Sequence, residues 1–197
     1  MTKKIAIALI AIVLIALGVG LVLPRSWEIE RSIVIDTTPE RIAPLVLDLR
    51  RWQEWSVWTK ALDPLVRNTF EGPADGVGAK WLWLGPTMGR GRIEIVAADV
   101  KRGIELDQAL ESERVNSQGT IAFSPEGSGT RVTWIDRGEL PVLGGFFRSA
   151  FEERLGENLE KSLAKLKTVV DALPPPVAPV APVAPSDAGV EVDAGSP

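Results

Sequence analysis

Residues 146–173 read FFRSAFEERLGENLEKSLAKLKTVVDAL. Phe147, Phe151, Leu155, Leu159, Leu163, Leu166 and Val170 recur at steps of four, four, four, four, three and four, which is one apolar stripe at helical period. Glu157 and Lys161 form a favourable i,i+4 pair opposite it. The spacing predicts a long amphipathic helix over 146–173, with a single apolar face that needs a broad partner. Gly156 interrupts the helix where glycine costs about 1 kcal/mol relative to alanine, so close packing or room for a ligand is expected there.

The partner lies upstream. Trp27–Ile35 (WEIERSIVI) alternates, with Trp27, Ile29, Ile33 and Ile35 on one face. Thr38 as N-cap, Pro39 at the first helical position and Glu40 in the first turn then open a helix. Its stripe is Ile42, Leu45, Leu49 and Trp52, and Pro44 inside it predicts a kink or an early end. From Val66 to Asp136 short strands alternate with turns. Trp81 and Trp83 share a face, Ile93 and Ile95 another, and Val132 and Trp134 a third. Gly72–Gly76, Gly85–Gly89 and Pro125–Gly129 are turns by composition. The order predicts an α+β domain: helices gathered on one face of a curved antiparallel sheet, with a long C-terminal helix across it.

Outside this domain the chain changes character. Ile5 to Leu23 (IAIALIAIVLIALGVGLVL) carries no charge, and at ~1.5 Å per residue it spans about 28 Å as a helix, close to a bilayer's hydrocarbon core. Lys3 and Lys4 ahead of it favour a cytoplasmic N-terminus and an extracytoplasmic domain, and Arg25 on the far side opposes that. A cleaved signal peptide is the rival reading, but its apolar region runs only ~7–15 residues, so an uncleaved single-pass anchor is preferred. After Leu173 the Pro-Val-Ala repeat at 176, 179 and 182 predicts an extended polyproline segment, a spacer or a docking ligand for a partner. The expected organisation is an anchor over 1–25, a folded domain over 26–173 and a disordered tail over 174–197.

Composition excludes much chemistry. With no Cys, His or Tyr, thiolate nucleophiles, cysteine-ligated metals and the most common general base are absent. A net charge of −4 lacks the basic footprint of a nucleic-acid binder. No cofactor and no metal site is expected. Gly76-Val77-Gly78 lacks a third glycine and leads into a strand, which argues against phosphate binding. The carboxylates Asp48, Glu54, Glu71, Glu94, Glu105, Asp107 and Asp136 are scattered, with no acid/base pair, and most are expected to be solvated. Seven tryptophans call for an explanation.

These segments resemble a known family. Glu30-Arg31-Ser32-Ile33-Val34-Ile35, Arg51-Trp52-Gln53-Glu54-Trp55-Ser56-Val57-Trp58, Glu71-Gly72-Pro73 with Gly76-Val77-Gly78-Ala79, Gly129-Thr130-Arg131-Val132-Thr133-Trp134 and Gly156-Glu157-Asn158-Leu159-Glu160 follow one another as in the START-like helix-grip superfamily. The branch they resemble is the bacterial polyketide cyclase/dehydrase-like one (SRPBCC), over about residues 27–171. Val57 departs from it, standing where a proline is common, and so does the helix-interior Pro44.

The resemblance implies a cavity between the long helix and the concave sheet, suited to lipids, sterols, polyketides or other hydrophobic small molecules. Such sites span ~300 Å³ or more. Candidate ligand-binding residues are Trp58, Trp81, Trp83, Phe151, Leu155 and Gly156, whereas Trp134 is expected in the core. The leading expectation is non-catalytic binding of a hydrophobic molecule or lipid beside a membrane. A cyclase- or aromatase-type enzyme would need a buried carboxylate or Arg in the cavity. The third reading is an interaction protein that uses the Pro-rich tail.

Overall fold

A computed structural model describes residues 2–110 and 115–174. The segment read as a polyproline tail, and the partner reading built on it, therefore lie outside the described residues apart from Pro174. Helix α1 (Thr2–Val22) leads into β1 (Ser26–Ile35), α2 (Pro39–Leu47) and α3 (Trp52–Trp55). Six strands follow, β2 (Arg67–Glu71), β3 (Lys80–Gly85), β4 (Gly89–Asp99), β5 (Gly103–Leu110), β6 (Val115–Glu126) and β7 (Gly129–Glu139). A 3₁₀ turn (Gly144–Phe147) then precedes α4 (Arg148–Asp171).

The seven strands form one antiparallel sheet in the order β1-β7-β6-β5-β4-β3-β2. The meander β2–β7 uses short local connections, and β1 joins its far edge by pairing with β7 from Ser26↔Glu139 to Ile35↔Thr130. In β4 the register shifts between Ile95 and Ala97. This bulge, centred on the outward-facing Val96, adds bend and twist to the strand. The alternation expected along β1, β3 and β7 is observed, with Trp27, Ile29, Trp81, Trp83, Val132 and Trp134 buried on the inner face.

Pro44 lies inside α2, which ends three residues later at Leu47. The expected stripe running on to Trp52 is therefore split between α2 and α3. The break leaves carbonyls at the end of α2 that no helical N–H can reach. Trp55 Nε1 donates to the Leu45 carbonyl and Trp52 Nε1 to that of Val46, each at 2.9 Å, while Gly76 N donates to Leu47 at 3.1 Å. Both indoles are 0 % exposed, so Trp52 and Trp55 are core residues with their polar edges satisfied.

Helix α4 crosses the inner face of the sheet. Leu159, Leu163, Leu166 and Val170 are buried, and Ser162 Oγ accepts a hydrogen bond from Val57 N at 3.1 Å, tying the helix to the α3 segment. The predicted helix begins two residues too early. Phe147, first in the stripe, belongs to the 3₁₀ turn and is 72 % exposed. The expected Glu157–Lys161 pair forms at 2.8 Å on the solvent face.

Trp55→Phe leaves the buried Leu45 carbonyl without its donor. Its expected cost is about 2 kcal/mol of unfolding free energy, measured by urea titration of the detergent-solubilised chain. A change below about 0.5 kcal/mol would contradict the capping role.

Candidate functional site

The C-terminal half of α4 carries most of its buried residues, Leu163, Leu166 and Val170 among them. Under its N-terminal half, where Phe151 and Leu155 are half-buried, a cavity of about 210 Å³ opens between the helix and the sheet. Six of the seven tryptophans, all but Trp55, line it. This accounts for the unusual tryptophan content. Trp134 meets Trp52, Trp55 and Trp58 edge-on, with centroids 5.4, 5.8 and 5.9 Å away. Trp81 lies 5.1 Å from Trp83, and Trp27 contacts Phe151 edge-to-face at 4.8 Å. Such geometries suit the ring quadrupoles and hold the walls rigid.

Trp58, Trp81, Trp83, Phe151 and Leu155 are brought together along this wall. Gly156 is not among the lining residues. It is buried and faces β1, where a Cβ would come within 2.4 Å of Arg31 Nη2. The glycine thus admits the Arg31 guanidinium rather than a ligand, which is the close-packing alternative in a side-chain form. Trp134, expected in the core, is both core and wall. The cavity is smaller than the ~300–1,000 Å³ of typical ligand sites because the indoles fill the inner face. An entire sterol exceeds it, whereas a compact molecule or one end of a longer one fits.

The polar part of the site is the feature that residue-level reading passes over. Asp136, grouped above with the solvated acids, is 5 % exposed and lines the cavity. Its Oδ1 accepts from Trp27 Nε1 at 2.9 Å and its Oδ2 from Gln108 Nε2 at 2.6 Å, with a further hydrogen bond from the Ser117 side chain. Burial pushes its carboxyl above the ordinary 3.8, against the lowering effect of those three donors. The pattern is present in β7: Thr130, Val132, Trp134 and Asp136 alternate onto one face, so a carboxylate at the next inward position was predictable. Gly119, opposite Asp136 on β6, leaves the space through which Gln108 reaches it, since a Cβ there would lie 2.7 Å from Gln108 Nε2.

A second buried carboxylate behaves oppositely. Asp63 is 0 % exposed and accepts from the backbone N–H groups of Leu65, Thr87 and Met88 at 3.2, 2.8 and 2.9 Å. Burial opposes its ionisation, but these N–H groups outweigh it and hold the carboxyl below its usual value. Asp63 pins the loop before β2 to the β3–β4 turn and lies outside the cavity lining. Among the described residues no cluster of three or more acidic groups is placed to hold a metal ion.

A helix laid across a curved antiparallel sheet over an apolar cavity defines the helix-grip class of protein. The family model described as polyketide cyclase / dehydrase and lipid transport matches residues 26–171, and the chain belongs to that family. Solved structures share the fold. CV1439 from Chromobacterium violaceum is 16 % identical, with 73 % of this chain and 96 % of that one covered at a TM-score of 0.55. TTHA0849 from Thermus thermophilus is 24 % identical, with 74 % and 98 % covered at 0.54. Aha1 from Colwellia psychrerythraea is 15 % identical, with 74 % and 97 % covered at 0.52. A comparison with curated proteins found no match.

Because the Asp136 carboxyl is raised in the folded state, its contribution to stability is complete below the ordinary carboxylate range. It is lost as pH rises through the elevated value. The melting temperature of wild type relative to Asp136→Asn is therefore expected to fall as pH is raised from about 4 to about 7. A difference that stays flat or rises across that range would refute the assignment.

Proposed function

We propose that this chain is a membrane-tethered binding module that holds a compact hydrophobic molecule, or one end of a lipid, beneath the N-terminal half of α4. The observation that carries the reading is the indole-walled cavity, a largely apolar space that a close-packed core would otherwise fill. Family membership supports it in kind, through the lipid-transport part of the family description.

Tethering rests on α1. Within Lys3–Val22 an 18-residue stretch has a mean hydropathy of 3.2, and its side chains are almost wholly uncovered by protein. The C-terminal end of α1 packs on the turn before α4, where a Cβ at Gly20 would meet Leu143 and Phe146. The same turn exposes Val142, Phe146 and Phe147, an apolar surface that a bilayer would cover. The proposed orientation, N-terminus cytoplasmic and domain extracytoplasmic, rests on Lys3 and Lys4.

An enzyme of cyclase or aromatase type is the second reading, and the buried Asp136 in the cavity favours it. Among the described residues no second acid lines the cavity, so such chemistry would use Asp136 alone to move a proton. Loss of any turnover in Asp136→Asn with binding retained would select this reading over the first.

Leu155→Trp places an indole in the cavity. Small molecules that co-purify with the wild-type chain, identified by mass spectrometry of solvent extracts, are expected to vanish from this variant while its circular dichroism stays unchanged. Identical extracts from both proteins would remove the binding role. Separately, the full chain is expected to remain in the membrane pellet after an alkaline carbonate wash, and its release to the supernatant would remove the anchor.

A further inference from the structure

Asp136 is the single carboxylate along the cavity wall among the described residues, and it has no ion-pair partner there. Its acceptor capacity is about four lone-pair positions. Trp27, Gln108 and Ser117 occupy three of them with neutral donors, so the site orients the carboxylate without compensating its charge. Arg154 is the other charged lining residue, but it is exposed and its charge acts on Glu157 on the outer side of α4. Seven of the other fifteen lining residues are aromatic, and the faces of indole rings attract cations most strongly when water is excluded. A carboxylate among indoles is complementary to an organic cation.

We infer that the cavity selects a compact organic cation, an arylalkyl or alicyclic amine, whose ammonium pairs with Asp136 while its hydrocarbon part lies against Trp27, Trp58, Trp81 and Trp134. This deepens the binding reading and depends on it. The pairing accounts for several features at once. A neutral hydrogen-bond donor would add one more bond to a carboxylate that already has three. A cation would neutralise the buried charge that burial alone penalises. An anion would meet repulsion from Asp136, the one buried charge on the wall. The volume of about 210 Å³ suits a one-ring amine and excludes a bulky one. Gly119 completes the arrangement: by admitting Gln108 it fixes the second carboxylate oxygen, so the charge is presented in one orientation.

The test uses benzylamine, benzyl alcohol and benzoate, near-isosteric probes that are cationic, neutral and anionic at about pH 7. Binding to the full chain in zwitterionic nanodiscs would be followed by tryptophan fluorescence and calorimetry, with empty nanodiscs as the blank. The expected order is benzylamine tightest, about tenfold or more ahead of benzyl alcohol, with benzoate weakest. In Asp136→Asn the amine preference is expected to collapse to within about twofold, with benzyl alcohol affinity retained. If wild type binds alcohol as tightly as amine, or the Asn variant keeps the preference, the charge inference falls. The cavity reading survives that result provided benzyl alcohol binding is lost in Leu155→Trp. If none of the three probes binds, the cavity reading fails and takes this one with it. The wild-type series needs no variant, so a poorly folding Asp136→Asn protein does not protect the inference.

Discussion

At the end of α2, carbonyl oxygens that a longer helix would have satisfied are taken by two indole N–H groups. The early stop at Leu47 creates the vacancy, and Trp52 and Trp55 reach back to close it. The rest of the interior follows from that pair of bonds. Trp52 lies 6.4 Å from Trp81 and 5.4 Å from Trp134, and Trp81 in turn stacks on Phe70 and tilts against Trp83. A flexible aliphatic core would collapse around a void of this size. Large flat rings locked edge-to-face have few alternative packings, so the space beneath α4 stays open.

The two buried aspartates show how environment divides a single chemistry. Asp63 is surrounded by backbone N–H groups that point at it from two loops, and its charge is held. Asp136 is met by side-chain donors within an aromatic shell, and its charge is disfavoured. The first stabilises a turn. The second is left with a demand that the protein does not itself meet, which is the usual condition of a group whose partner arrives from outside.

Much of this architecture is legible in the residues. Period-two alternation locates β1, β3 and β7, and the three- and four-residue steps locate α4, because burial on one face constrains every inward position alike. The same property hides the cavity. Phe151, Leu155 and Leu159 are spaced like Leu163 and Leu166, yet the first three border an open space and the last two fill a core; periodicity reports which side of a helix is apolar, not how far away the opposing surface lies. Gly156 gives a correct hint of close approach, but the neighbour is the guanidinium of Arg31 reaching up from β1, which no spacing rule names. Asp136 escapes for a different reason. Its inward alternation is visible beside Val132 and Trp134, but its three donors come from β1, β5 and β6 and meet only when the sheet is assembled.

Three residues, Leu23 to Arg25, separate α1 from β1, a leash of at most about 10 Å when fully extended. Gly145 shortens it further by lying against Leu23. On the proposed membrane reading, the domain is denied any excursion into bulk solvent and samples only the layer within touching distance of lipid. A molecule dissolved in that layer is met at a local concentration far above its value in water. Modest intrinsic affinity would then suffice for high occupancy, and the same ligand dissolved only in the aqueous phase would go largely unseen.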